Sequence, residues 1–124
     1  MPTRISDDGT PIVTFDSILE ISPFTLFKRL KQGRTMLLVD VRDVPGSRTL
    51  EGSVVEPDPH WTPAEPEMEV VLFDDDGSVA VAAARRLQEA GYNGVKALFG
   101  GLDLYEFALD PQVVGEETYL VSAG

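Results

Sequence analysis

The apolar run Val70-Val71-Leu72-Phe73, the polar turn Asp74-Asp75-Asp76-Gly77 and the Ala-rich run Ser78 to Leu87 confine this chain more tightly than any other stretch. Four consecutive apolar residues at a turn boundary read as a short strand covered on both faces. The acidic turn follows, and Val79, Ala83, Leu87 and Ala90 then form the expected buried stripe of a helix that keeps Arg85, Arg86 and Glu89 outside. Strand, loop, helix is the unit of an open α/β domain, and ligands bind in such domains at the carboxyl ends of the strands. The backbone amides and dipole of a helix N-terminus favour an anion, yet this loop supplies three carboxylates of its own. A site shaped for negative charge and already filled with it is the main clue to function.

The 124 residues suit one domain, 1–124, with a core over about 20–110 and an extension at each end. Ten Lys and Arg stand against twenty-one Asp and Glu, a net charge of -11. That balance opposes nucleic acid and anionic membranes, both of which are held by Lys and Arg. The chain has no cysteine, which excludes disulfides, thiolate metal sites and every thiol mechanism. Met1 to Asp8 contains no apolar signal region and no apolar run reaches spanning length, so a cytoplasmic location is expected.

Residues 1–10 are polar and are read as a frayed end or turn, and Pro11 to Leu19 as one or two short edge strands. Ser22-Pro23 marks a helix start, with Ser as N-cap and Pro in the first turn. Phe27 and Leu30, with Phe24 or Leu26, form its apolar stripe, and Gly33 stops it. Met36 to Val41 reads as a central strand, followed by a polar turn through Pro45-Gly46 and a brief strand at Ser53 to Val55. Glu56 to Glu67 holds Pro57, Pro59, Pro63 and Pro66, a stiff surface loop carrying His60 as a surface residue and Trp61 against the core edge. Tyr92-Asn93-Gly94 turns into a strand at Val95 to Leu98, and Phe99-Gly100-Gly101 turns into a helix over Leu102 to Leu109. Strands alternating with helices imply a parallel sheet. The tail, Val113 to Val121, is expected to add a strand that pairs with the N-terminal extension, lengthening one sheet edge, or with a second chain.

Asp40-Val41-Arg42, Leu50-Glu51-Gly52-Ser53-Val54, Val70 to Phe73 with its loop, Ala90-Gly91-Tyr92-Asn93-Gly94-Val95 and Leu98-Phe99-Gly100-Gly101-Leu102 resemble, in order and spacing, the landmarks of rhodanese-like domains. The resemblance implies a three-layer α/β fold, a small parallel sheet flanked by helices, with possible extra edge strands from both termini. It also implies sulfur transfer through a loop cysteine, in a motif that commonly reads Cys-x-x-Gly-x-Arg-Ser. Against that motif Gly77 is kept, but Asp74 stands at the nucleophile, Val79 at the cation and Ala80 at the small polar residue. A carboxylate forms no persulfide, and without the Arg only backbone amides would hold a thiosulfate or phosphate beside the aspartates. Thr49 lies near the family's His position. The resemblance therefore points to a scaffold without sulfurtransferase or thiol phosphatase activity.

Three functional readings follow. In the first, the chain is a non-catalytic rhodanese-like binding or regulatory module whose site is Asp74, Asp75, Asp76, Gly77, Ser78, Val79 and Ala80, supported by Asp40 and Arg42; Asp76 or Ser78 caps the helix, and a carboxylate plugs the amide cradle. It would bind a protein partner or a small ligand, with no cofactor. In the second, Phe73 to Ser78 resembles the first motif of haloacid-dehalogenase-like phosphatases, so Asp74 would be the nucleophile of a Mg²⁺-dependent enzyme, Asp76 the acid, Lys96 the phosphate-side cation and Asp103 a metal ligand. That family places its motif near the N-terminus, whereas 46 residues follow Ser78 here. In the third, the aspartates simply bind a divalent cation, although consecutive residues seldom converge on one ion. Arg42 either pairs with Asp40 or Asp43 or reaches the loop. Trp61, Tyr105 and Phe107 are read either as a partner-binding aromatic surface or, for Phe107, as core.

Overall fold

The chain is described by a computed structural model covering residues 3–5, 11–13, 15–44 and 46–122. The elements run β1 (Thr3–Ile5), β2 (Pro11–Val13), β3 (Glu20–Ile21), α1 (Pro23–Lys31), β4 (Leu37–Asp40), β5 (Arg48–Leu50), β6 (Val54–Val55), β7 (Val70–Phe73), α2 (Ser78–Glu89), β8 (Val95–Leu98), α3 (Gly101–Ala108), α4 (Pro111–Val114) and β9 (Leu120–Ser122). A five-stranded sheet in the order β3-β8-β7-β4-β6 is parallel throughout and has β7 at its centre.

The period of two along β7 divides the molecule into layers. Val71 and Phe73 point to the side covered by α1 and α3, where they meet Leu26, Phe27, Leu102 and Tyr105. Val70 and Leu72 point to the other side, against Ala80, Ala83, Ala84 and Leu87 of α2 and the half-buried Trp61. β7 is therefore apolar on both faces, as the central strand of a sheet sandwiched between helices requires. Ser22 caps α1 by accepting from the amide of Thr25 at 3.2 Å, with Pro23 in the first turn. Leu26 and Phe27 carry the buried stripe while Phe24 stays exposed.

Several expectations are corrected. The buried face of α2 is Ala80, Ala83, Ala84 and Leu87, and Val79 and Ala90 are exposed. Val79 lies in the first turn, above the end of the sheet, so the small Ala80 makes the close approach. Tyr105 is buried, and its hydroxyl donates to the carbonyl of Thr118, whereas Phe107 is exposed. The C-terminal strand pairs antiparallel with β5 and, among the described residues, β1 pairs only with β2, so the terminal strands form two small sheets apart from the parallel one. β5 and the short α4 lie in stretches where the sequence shows no clear element. Of the expected polar turns, residues 6–10 and Pro45 lie outside the described residues.

Candidate functional site

β4, β6 and β7 end side by side, with Asp40 opposite both Phe73 and Val55 in the ladder. The segments that leave these strands enclose a cleft of about 540 Å³ lined by Val41, Arg42, Asp43 and Val44, by Pro57 and Pro59, and by Asp74, Asp75, Asp76, Ser78 and Val79. It continues along α2 into a second hollow of about 330 Å³ that reaches Glu56, Asp58 and Arg86. The acidic loop lies where its strand–loop–helix pattern puts it, and the proline-rich segment, which carries no such pattern, forms the opposite wall.

The three aspartates have different surroundings. Asp74 is buried; its Oδ1 accepts from the Gly77 amide at 2.6 Å and its Oδ2 from the Val79 amide at 2.8 Å. Burial raises its pKa above the ordinary carboxylate value, and the amides of Val79 and Gly77 oppose that rise. Asp76 is exposed and accepts from both the hydroxyl and the amide of Ser78, at 2.7 and 2.9 Å, which lowers its pKa. The helix cap thus comes from Asp74 and Asp76 together, and Ser78 acts as a donor. The amides of Gly77, Ser78 and Val79 are all taken by carboxylates of the loop itself.

Asp75 points the other way and accepts from Arg42 Nη1 at 2.9 Å. Arg42 is itself buried and grips Asp40 with two nitrogens, Nε to Oδ1 at 3.0 Å and Nη2 to Oδ2 at 2.8 Å. The remaining Nη2 contact goes to the carbonyl of Arg48 at 2.8 Å. Hydrogen bonds to Asp40 first, and to Asp75 after it, keep the guanidinium in its charged form. Both alternatives for Arg42 therefore hold at once, with Asp40 rather than Asp43 as the near partner. Its charge is spent inside the protein.

Glycine makes the geometry possible at two points. Gly77 opens α2 at a φ of 92°, and a side chain there would approach the amides of Gly100 and Gly101 at 3.1 and 3.4 Å. Gly101, at a φ of 63°, lies so close under the loop that a Cβ would sit 2.5 Å from the carbonyl of Asp75. This contact lets the amides of Leu102 and Asp103 donate to the carbonyls of Asp74 and Asp75, each at 2.9 Å.

The residues named for a phosphatase do not converge. Lys96 donates to the carbonyl of Ser17 and does not line the cleft, and the Asp103 carboxylate pairs with Arg48. Among the described residues no group of three His, Asp or Glu side chains is arranged to hold a metal ion. Among them, too, no helix is long and apolar enough to cross a membrane.

No family model and no curated protein matches the sequence. Solved structures do resemble it. A rhodanese-like domain from Anabaena sp shares 22% identity over 72% of this chain and 74% of that one, with a TM-score of 0.62. A rhodanese-related protein from Thermoplasma volcanium shares 18% over 83% and 97%, with a TM-score of 0.59. A Rhodopseudomonas palustris protein of unknown function, described as a possible tyrosine phosphatase, shares 22% over 74% and 82%, with a TM-score of 0.60. The fold of this chain is rhodanese-like, a three-layer α/β architecture around a parallel sheet. Within that fold the chain offers no thiol to carry sulfane sulfur.

Proposed function

We propose that this chain is a non-catalytic rhodanese-like domain that works as a binding or regulatory module, with Asp74 standing where the fold's active members carry their cysteine. The observation that carries this reading is the Asp74 carboxylate, whose two oxygens occupy the amides of Gly77 and Val79. A helix N-terminus of this kind ordinarily receives an oxyanion from outside. Here the chain's own side chain fills it, and the neighbouring Asp76 takes the amide of Ser78. The family's cationic position is Val79, and Arg42, which lines the cleft, is neutralised by Asp40 and Asp75. Neither the amides of the loop nor Arg42 offers an anionic substrate a free countercharge, while the cleft beside them stays open for binding. The site of the module comprises Asp74 to Ala80, held in place by Asp40 and Arg42.

The test is sulfur transfer from thiosulfate to cyanide by the purified chain, with a no-protein control and Asp74→Cys in parallel. The expected result is no turnover by the wild type and little by the variant, because Val79 supplies no charge. Turnover by the wild type overturns the proposal. Efficient turnover by Asp74→Cys alone would show that backbone amides suffice for the anion.

A further inference from the structure

We infer that the cleft between the acidic loop and the proline-rich segment receives a basic stretch of a partner protein, seating a lysine or arginine side chain over Asp75 and Asp76. The inference rests on the binding-module reading above and names the chemistry of the partner. Its starting point is the groove itself, a concavity of about 540 Å³ at the carboxyl ends of the strands, continuous with a further 330 Å³. Part of its wall is apolar: Val41, Pro57, Pro59 and Val79 line both hollows, and Val44, at 82% exposure, joins them in the first. Aliphatic stems of lysine and arginine pack on such surfaces while their heads reach polar groups.

Charge then selects the occupant. Four carboxylates line the first hollow, those of Asp43, Asp74, Asp75 and Asp76, against one guanidinium. Arg42 is already committed to Asp40 and Asp75, and Asp74 to backbone amides. Asp43 and Asp76 remain exposed at the opening, and Glu56 and Asp58 continue the negative charge along the second hollow until Arg86. An anionic or neutral apolar segment would leave these carboxylates facing like charge or losing water without compensation, whereas a cationic side chain satisfies them. Hollows of about 540 and 330 Å³ exceed the space a single small ion takes and leave room for a segment with a basic residue at the Asp75–Asp76 end and apolar residues along Val79 and Ala82.

The experiment titrates isotope-labelled full chain with a blocked pentapeptide of alternating lysine and valine, with the same peptide carrying glutamine for lysine, and with spermidine, following backbone amides by NMR. The lysine peptide is expected to give saturable shifts at Arg42 to Val44 and Asp75 to Val79, and the glutamine peptide none. Val79→Arg places a cation at an exposed cleft position and is expected to weaken the lysine peptide about tenfold, with Asp43→Asn weakening it less. Equal shifts with the glutamine peptide, shifts elsewhere only, or spermidine matching the lysine peptide at equal concentration would each overturn the inference. A silent cleft in a chain that also transfers no sulfur removes the basic partner and leaves the non-catalytic reading standing. Sulfur transfer by the wild type removes that reading whatever the peptide does.

Discussion

The helices α2 and α3 begin in the same way and are satisfied in different ways. Each follows a glycine of left-handed conformation, Gly77 at a φ of 92° and Gly100 at 72°, and each turns its first amides toward the loop 74–76. At α2 the acceptors are side chains, the carboxylates of Asp74 and Asp76. At α3 they are main-chain carbonyls, those of Asp74 and Asp75. A carbonyl acceptor is present whatever residue stands there, so the α3 junction belongs to the fold. A carboxylate acceptor depends on residue identity and on protonation, so the α2 junction can be altered by substitution or by pH. One short loop thus meets α3 with its backbone and α2 with its side chains.

The largest effect is expected at the scaffold junction. Gly101→Ala places a Cβ 2.5 Å from the backbone of Asp75 and 2.6 Å from the Asp76 amide nitrogen, at a φ of 63°. Both contacts are to backbone, which cannot swing aside. Strain and overpacking together should cost roughly 3 kcal/mol or more, read from urea unfolding. A variant of wild-type stability would show that the loop and α3 are not locked together, and the contrast between the junctions would fail.

A smaller loss is expected at the α2 junction. Asp74→Ala removes the acceptor from two amides, for a cost of about 1–3 kcal/mol reduced by the relief of burying a charge. Acetate supplied in the buffer should restore part of that stability, because it returns a carboxylate to the same amides, whereas chloride at equal ionic strength should not. Rescue by acetate would sharpen the comparison, since Gly101→Ala leaves no vacated amides for acetate to fill. An unchanged melting temperature without acetate would show that water serves these amides as well as Asp74 does.

What the sequence made legible follows the same division. Continuous apolar runs placed the interior strands, because burial on both faces of a sheet imposes them, and turn signals with helical spacing placed the three long helices. The Ser22 cap and the break at Gly33 are local chemistry and were readable as such. The plug was legible in outline, since three carboxylates at a helix start are anomalous on electrostatic grounds alone. Which aspartate fills the cradle was not, because the choice depends on the turn directing Asp74 inward, Asp75 toward Arg42 and Asp76 toward Ser78. The pairing of β5 with β9 was hidden for a related reason: three-residue strands across the span from Arg48 to Ser122 carry no periodic signal, and only the fold brings them together. Pro57 and Pro59 read as loop residues, and their role as a cleft wall appears only once β6 lies beside β4.

The smallest effect separates the two carboxylates at α2 by the sign of their pH dependence. Burial raises the pKa of Asp74 in the folded chain, so its contribution to stability is fully present below the unfolded value and is lost as pH rises through the folded one. Hydrogen bonds from Ser78 lower the pKa of Asp76, so its contribution is present above the unfolded value and is lost as pH falls through the folded one. Because Asp76 is exposed, solvent screening keeps its share under about 1 kcal/mol. Unfolding free energies from about pH 3 to pH 7 for the wild type, Asp74→Asn and Asp76→Asn are the measurement, the range being that in which carboxylates titrate. Relative to the wild type, Asp76→Asn should lose stability near neutrality and converge on it in acid. Asp74→Asn should fall further behind as pH drops, since only the wild type gains by binding that proton. If both differences moved in the same direction with pH, the two aspartates would share one environment, and the distinction between a buried plug and an exposed cap would have to be abandoned.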